Sequence, residues 1–270
     1  MPQIVVCMKV IIDPEAPTSI FNIDSEKKIP LPPAGMPPVF SPFDLNALEA
    51  ALKIKDQQDC IITILCMGKN LPKALLQKVL AMGADKAVAV EDPAFENLDP
   101  FSTAAAMVKA IQKIGQVDMV FTGRQAADWD AGLVWAGIAE GLNLPSVTIA
   151  RDVKVSGETA TIERCAADGI ETLEADLPVL VTFSSEVGEP RFASLKAMMK
   201  AAKKPIERWK APDIDFQPET TMHWEALSEA DLPTIDCEFV DGDSDEDKGR
   251  RLAHLLKEQG LIAATAGGES

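Results

Sequence analysis

The residues best suited to chemistry lie in a loop that follows a short apolar run at positions 117–122. This run is rich in β-branched and aromatic side chains, so it predicts a buried strand. Gly123 ends the run, and Asp128 and Asp130 stand where the N-cap of a following helix is expected. A loop between a strand and a helix exposes backbone N–H groups and the positive end of the helix dipole. That arrangement suits a phosphate or a nucleotide, although an ordinary strand-to-helix connection has the same parts.

The elements that position this loop follow an alternating pattern. A helix is predicted over 131–142, with Asn143 as its C-cap and Pro145 preventing its continuation. Upstream, apolar runs alternate with amphipathic stretches, which predicts a parallel sheet with helices on both faces and right-handed crossovers. The upstream strands are predicted at 3–10, 60–67 and 86–91, and the helices at 44–56, 71–82 and 99–114.

The loops at the carboxyl ends of these strands are expected to converge on one crevice, since ligands in such folds lie beyond those ends. The converging loops are 9–13, 66–69 and 123–130, with 41–44 nearby. The proline-rich stretch 11–42 cannot form a long helix and leaves room for a hairpin near 21–29. After Pro145, four short β-type runs predict an antiparallel extension of the sheet. These runs are 147–155, 159–166, 170–174 and 179–183.

The C-terminal region is expected to form an extended arm. Between 212 and 247 there are thirteen Asp or Glu residues and no Lys or Arg, so this stretch cannot build a core of its own. A short helix is predicted over 245–259, and 263–270 is predicted to be disordered. The expected division is therefore an α/β domain at 1–205 and an arm with a short helix at 206–270.

Composition and charge exclude several classes of protein. The net charge of −16 argues against nucleic acid and anionic membrane surfaces as partners. No apolar stretch approaches the roughly 18 residues that a membrane span needs. The five cysteines form neither a CxxC pair nor an even disulfide framework, which favours a reduced, cytoplasmic compartment. The N-terminus also lacks the basic region of a signal peptide.

Familiar catalytic and metal motifs are missing. The sequence contains no GxGxxG and no GxxxxGK[ST]. Residues 241–245 open like a calcium loop, but Glu246 and Leu252 stand where that loop needs Gly and Glu. His223 and His254 lack metal-ligand spacing and do not suit a nucleophile–histidine arrangement. We therefore assign no catalytic residue and no metal site.

One ordered set of motifs covers almost the whole chain. The motifs are 5–9 with Asp13, Ser41-Pro42-Phe43-Asp44 followed by 47–52, then 81–85, 123–130, 168–171 and 189–201. Taken together they resemble the β subunit of electron transfer flavoproteins, and the block at 189–201 is the most specific. The resemblance implies a Rossmann-like fold similar to that of the adenine-nucleotide α-hydrolases.

The resemblance also implies cofactors. In this family the β subunit pairs with a larger α subunit, the heterodimer carries FAD mainly on α, and β binds a second adenine nucleotide in its own α/β domain. That nucleotide is AMP in the type that serves acyl-CoA dehydrogenases and a quinone oxidoreductase, and a second FAD in the electron-bifurcating type. The implied cofactor-binding residues are Cys7, Lys9, Asp13, Ser41, Pro42, Phe43, Asp44, Cys66, Gly123, Arg124, Gln125, Ala126, Asp128, Asp130, Ala131, Gly132, Leu133 and Val134.

The sequence departs from both types within the loop. Gly132 and Val134 replace the Asn and Thr whose polar groups help to hold the phosphate in the AMP type, and Val is similar to the bifurcating type. Trp129 and Trp135 replace glycines of the bifurcating type, and Ala131 replaces its Thr. A Trp there would restrict the pocket or stack on a ring. On balance the resemblance favours FAD over AMP as the second ligand.

The block 189–204 resembles the loop through which this family docks partner dehydrogenases. We define the recognition segment as residues 184–205. It carries a basic rim around apolar side chains in an otherwise acidic chain, which suits a transient docking surface but also an ordinary amphipathic helix with a solvated basic face. The residues expected to dock a partner are Arg191, Leu195, Lys196, Met198, Met199 and Lys200.

These expectations support an electron-carrier subunit, which has no catalysis of its own outside a redox complex. A free-standing adenine-nucleotide sensor of the same fold is the alternative, because it needs the crevice but neither an α subunit nor the recognition segment. A hydrolase of an adenylated bond is disfavoured, because the sequence has no nucleophile or base signature. The electron donor, the acceptor and any splitting of the electron pair are not determined by the sequence.

Overall fold

The computed structural model describes residues 1–17, 20–219, 221–229 and 237–262. It divides into two compact units, Met1–Ser228 and Glu229–Ser270. The tail expected to be disordered, 263–270, lies outside the described residues. No helix in the described ranges is long and apolar enough to cross a membrane.

The first unit alternates strands and helices as the sequence predicts. In chain order the strands are β1 (Gln3–Met8), β2 (Val10–Ile11), β3 (Asn22–Asp24), β4 (Ile29–Leu31), β5 (Val39–Phe40), β6 (Ile61–Gly68), β7 (Lys86–Glu91), β8 (Met119–Gly123), β9 (Ser146–Ser156), β10 (Thr159–Ala166), β11 (Gly169–Asp176), β12 (Val179–Phe183) and β13 (Ile206–Trp209). The helices are α1 (Pro42–Gln57), α2 (Lys73–Met82), α3 (Pro100–Ile114), α4 (Val134–Leu142), α5 (Leu195–Ala201) and, in the second unit, α6 (Asp245–Glu258). The expected hairpin is present as the antiparallel pair β3–β4.

Nine of the described strands form one sheet in the order β11-β10-β9-β12-β8-β1-β6-β7-β13. β1 pairs in parallel with both β6 and β8. From β1 the chain builds outward to β6 and β7 on one side, and later to β8 and β12 on the other. The topological switch point, where ligands bind in folds of this kind, therefore lies between β1 and β8. The predicted parallel α/β fold is confirmed.

Two strands lie elsewhere than expected. Val179–Phe183 was predicted in the antiparallel extension, but it pairs in parallel with β8 in the middle of the sheet. Its five residues are all buried, as in a central parallel strand covered on both faces. Ile206–Trp209, expected in the arm, pairs in parallel with β7 and forms one edge of the sheet. The sheet thus continues past the boundary expected at 205, and the antiparallel extension consists of β9, β10 and β11.

The core is built in two layers, one on each face of the sheet. α1 and α2 cover one face, where Leu48, Ile64 and Phe121 are buried. α3 and α4 cover the other, where Val5, Val120 and Ile138 are buried. Residues of one strand alternate between the two layers because successive side chains point to opposite faces. This alternation decides which side chains near the strand ends reach α1 and which reach α4.

The helix after β8 begins later than predicted. We expected it from 131 with Asp128 or Asp130 as N-cap, but α4 begins at Val134 and Leu133 is its N-cap, with no side-chain cap. Asp130 and Gly132 have φ values of 50° and 62°, which a right-handed helix cannot contain. The C-cap prediction is confirmed, since Asn143 adopts the left-handed conformation.

Candidate functional site

The first turn of α1 spans the switch point. β1 and β8 pair as far as Val6 and Phe121. Beyond these residues, the Asp44 carboxylate joins the two strand ends. One of its oxygens accepts the Lys9 N–H at 2.8 Å and the other accepts the Gly123 N–H at 3.1 Å. One side chain thus satisfies a backbone donor from each of the two strands that flank the crevice.

Ser41 supplies further contacts at the same place. Its N–H donates to the carbonyl of Lys9 at 3.0 Å, and its Oγ accepts the N–H of Ala127 at 3.3 Å. Ser41 is fully buried and Asp44 is 7% exposed. We call these two residues the α1 bridge. Their side-chain oxygens are already occupied by backbone donors in this structure.

Gly123 permits the close approach of α1 to β8. A Cβ at this position would lie 2.6 Å from Asp44 Oδ1 and 2.8 Å from Phe43 Cβ. It would also lie 2.9 Å from the backbone carbonyl carbon of Phe43. The glycine that the sequence marks as the end of a strand is therefore required for packing against the α1 bridge.

The buried groups at the strand ends have shifted pKa values. Burial raises the pKa of Asp44 to about 7, although the N–H groups of Lys9 and Gly123 stabilise its charged form. Burial, and after it the nearby Asp44, raises the pKa of the Cys7 and Cys66 thiols far above the usual range. Both cysteines are therefore neutral core thiols.

The loop from 124 to 133 is held by polar contacts of its own. Lys9 Nζ, just after β1, pairs with Asp128 Oδ2 in the loop at 2.7 Å. Gln125 Nε2 donates to Asp130 Oδ1 at 2.7 Å. The Arg124 guanidinium lies over the Phe43 ring, 4.8 Å from its centroid. The carboxylates that we expected to cap α4 are thus used to fix the loop.

Unpaired donors lie at the carboxyl end of β8. Leu133 gives α4 no side-chain cap and the first turn of α4 carries no acid, so no acidic side chain of that turn neutralises the positive end of the helix dipole. Thr122 Oγ1 and Arg124 Nε are buried without a hydrogen-bond partner in the described part of the chain. Thr122 faces the α4 layer, because Val120 two residues before it does so. This chemistry suits a phosphate or diphosphate.

The other residues predicted to bind the cofactor do not all lie at the carboxyl end of β8. Asp13 and Pro42 line a pocket of about 190 Å³ together with Phe40, Leu45 and Lys78. This pocket lies on the α1 and α2 side of the sheet, away from α4. Ala126 and Gly132 are half-buried, Ala131 and Leu133 are exposed, and Val134 is half-buried at the first position of α4. The described residues contain no cluster of side chains able to hold a metal ion.

A tryptophan pair covers part of the loop, and only Trp129 of the two was singled out by the sequence analysis. Trp129 stacks on Trp224 with ring centroids 4.8 Å apart, and both rings remain partly exposed. The segment that carries Trp224 is fixed by the buried Asp99, which accepts the N–H groups of Thr221 and Met222 at 2.6 and 2.9 Å. A contact between positions 95 apart leaves no local signal in the sequence.

Comparison with known proteins decides the family. A model of the electron transfer flavoprotein domain matches residues 35–214, which include the α1 bridge, the loop and α4. The chain belongs to the electron transfer flavoprotein family. It is 40% identical over 213 residues to the electron transfer flavoprotein subunit beta of Clostridium acetobutylicum, covering 79% of this chain and 80% of that protein.

Two further relatives agree with this assignment to the beta-type subunits. The electron transfer flavoprotein subunit beta of Megasphaera elsdenii is 39% identical over 220 residues, covering 79% of this chain and 78% of the relative. Subunit CarD of the caffeyl-CoA reductase-Etf complex of Acetobacterium woodii is 39% identical over 186 residues, covering 68% and 71% respectively. The chain is thus a beta-type electron transfer flavoprotein subunit.

Arg191 attaches the recognition segment of this flavoprotein subunit to α1. Its guanidinium contacts both oxygens of the buried Glu49 at 2.9–3.1 Å and both oxygens of Asp56 at 2.7 and 3.1 Å. Its backbone N–H also donates to Glu49 at 2.9 Å. Arg191 was expected to dock a partner, but in this structure its charge is neutralised by α1.

The helix α5 presents the other expected docking residues. Its alanine face packs on the core through the buried Ala201. Leu195 and Met199, one turn apart on another side, are 80% and 71% exposed. Lys196 and Lys200 are exposed beside them. Phe192, which the sequence analysis did not single out, is 96% exposed just before the helix.

We expect Arg191→Ala to destabilise the fold by about 3 kcal/mol, because it leaves the Glu49 carboxylate buried without its ionic partner. The free energy of unfolding from urea titration measures this. Arg151→Ala is the matched control, since Arg151 pairs with Glu163 at 2.7 Å on an exposed surface. That control should cost less than about 1 kcal/mol. Equal losses of unfolding free energy in the two variants would show that the Arg191 ion pairs do not hold the recognition segment on α1.

Proposed function

We propose that this chain pairs with a larger α subunit, shares an FAD with it, and holds a second adenine nucleotide at the switch point between β1 and β8. The proposed donors are flavin dehydrogenases of the acyl-CoA dehydrogenase type, which pass electrons through the shared flavin to a quinone-reducing or other acceptor. FAD supplies the redox chemistry, while the chain binds and positions it. The chain alone is proposed to have no catalytic activity.

The main support for the proposed nucleotide site is the group of unpaired hydrogen-bond donors at the switch point. The uncapped start of α4 and the buried Thr122 hydroxyl lie on the same face of the sheet. A buried hydroxyl without a partner is costly, and a ligand oxygen would satisfy it. Phosphate binding at helix N-termini uses the same backbone donors.

We favour FAD over AMP as the second nucleotide. Gly132 and Val134 offer no side-chain donor to a terminal phosphate, so a monophosphate gains nothing from them. A Cβ at Gly132 would meet no atom closer than 3.8 Å, which leaves room along the loop for a larger ligand. Trp129 stays 40% exposed although one face of its ring stacks on Trp224, and an aromatic ligand would stack on the other face. A second FAD would also give the heterodimer the two flavins that electron bifurcation requires.

We propose that the arm packs on the α subunit. In the second unit, α6 buries none of its residues, and Phe239 is 84% exposed. A helix that buries no side chain in the described part of this chain is expected of a segment that covers a partner. We also propose a cytoplasmic location, supported by five cysteines that are all free thiols.

Co-purification tests this function. The full chain is expressed with its α subunit and alone, and the flavin absorbance and the mass of each preparation are measured. We expect a yellow heterodimer and, from the chain expressed alone, weak colour at most. A colourless heterodimer would contradict the flavoprotein assignment of the complex, and a chain that never pairs would contradict the heterodimer.

A further inference from the structure

The carboxylate of Asp44 is buried where β1 and β8 part. The family resemblance suggested that it touches the nucleotide. In the structure both of its oxygens are occupied, one by the Lys9 N–H and the other by the Gly123 N–H. We propose that Asp44 is a positioning residue, which sets the separation of the β1 and β8 ends and so the shape of the nucleotide crevice.

Several contacts make this position sensitive to the side chain at 44. Asp44 Oδ1 lies close enough to Gly123 that a Cβ on the glycine would be only 2.6 Å from it. The next residue, Arg124, donates its N–H to the Phe183 carbonyl at 2.8 Å, so a shift at Gly123 is passed to β12. Lys9, which follows β1, forms the ion pair with Asp128 in the loop. A change at Asp44 would therefore move both walls of the crevice.

The charge of this carboxylate matters as well as its shape. The groups that face Asp44 are the Lys9 ammonium, the Asp128 carboxylate and the Cys7 and Cys66 thiols. Only the ionised carboxylate can accept both backbone N–H groups without presenting a donor of its own to one of them. Because its pKa is raised to about 7, the fraction that is ionised changes between pH 6 and pH 8. Nucleotide affinity should therefore rise with pH over this range.

Asp118 offers a matched control in the same two strands. Its Oδ2 accepts the Gln3 N–H at 2.7 Å, and it joins β8 to β1 at their amino ends, opposite the crevice. Asp118→Asn and Asp44→Asn both replace one carboxylate that binds backbone N–H groups. Asn keeps the volume but turns one acceptor into a donor. Only the change at position 44 is next to the crevice.

The inference rests on the proposed nucleotide site, and the following experiment separates the two. The full chain is purified with its α subunit, depleted of the second nucleotide while the flavin shared with α is retained, and titrated with AMP and with FAD by calorimetry. FAD is used for the pH profile, because a monophosphate itself titrates near pH 6. We expect Asp44→Asn to weaken binding at least 10-fold at pH 8 and to flatten the pH profile. Asp118→Asn should bind as the wild type does.

Ser41→Ala provides a milder variant in case Asp44→Asn fails to fold. It removes the acceptor of the Ala127 N–H and should weaken binding several-fold. Unchanged affinity in Asp44→Asn, or in a folded Ser41→Ala when the first variant does not fold, would overturn the inference. Equal losses in Asp44→Asn and Asp118→Asn would overturn it too, since they would reflect stability alone. If the wild type bound neither nucleotide, the proposed nucleotide site itself would fail.

Discussion

Replacing Leu195 with Glu is expected to lower the rate at which a flavin dehydrogenase reduces the complex by roughly 30-fold, with little change in stability. Leu195 is 80% exposed on α5, so the folded chain loses almost no buried apolar area when it is changed. An exposed apolar side chain within a basic rim has the features of a docking hot spot, and truncation of such residues costs about 2 kcal/mol or more of binding. The loss should appear in partner affinity and in stopped-flow reduction kinetics at low dehydrogenase concentration.

The docking prediction has its own control in the same unit. Leu31 is 39% exposed at the end of β4, outside the recognition segment. Leu31→Glu should leave the reduction rate within about twofold, because a surface substitution outside an interface changes binding little. Phe192→Ala should resemble the Leu195 variant, since Phe192 is 96% exposed beside it. A Leu195 variant that is reduced as fast as the wild type would refute the docking role of α5.

Replacing Gly123 with Ala is expected to cost about 2–3 kcal/mol of stability, as overpacking of a tight contact does. The added Cβ would lie 2.9 Å from the Phe43 backbone and 2.6 Å from Asp44, and the backbone cannot rotate away as a flexible side chain can. The same clash would push apart the strand ends that flank the crevice, so nucleotide affinity should fall with stability. Urea unfolding and calorimetric titration measure the two effects.

Gly249 provides the comparison for that substitution. It lies within α6, and a Cβ there would meet no atom within 4 Å. Gly249→Ala should therefore be neutral or stabilising by up to about 1 kcal/mol, as expected for alanine in a helix interior. If Gly123→Ala were as stable as Gly249→Ala, the close packing of α1 against β8 described above would be wrong.

The alternation of strands and helices was accessible from the sequence, because buried parallel strands are short apolar runs and their helices are amphipathic. The direction of Val179–Phe183 was not, since the apolar pattern of a strand does not tell which neighbour it pairs with. Its lack of polar alternation was nevertheless a signal for a central position. The segment Ile206–Trp209 has only four residues, two of them charged, so its sequence does not indicate an edge strand.

Within the candidate site, the sequence predicted the position of the loop after β8 but not the side-chain contacts that hold it. Asp128 and Asp130 have the residue type of an N-cap, yet the left-handed backbone at Asp130 and Gly132 separates them from α4. Arg191 has the charge expected of a docking residue, but its partner Glu49 lies 142 positions away along the chain. Such pairings depend on the packing of α1 under the recognition segment, which no local pattern records.

The central claim is that the crevice between β1 and β8 holds an adenine nucleotide in addition to the flavin shared with the α subunit. Release of bound cofactors from the purified heterodimer by acid, followed by chromatographic quantification of FAD and AMP, tests it most directly. We expect two FAD and no AMP per heterodimer. One FAD with one AMP would overturn the choice of nucleotide, and one FAD with no second nucleotide would contradict the site itself.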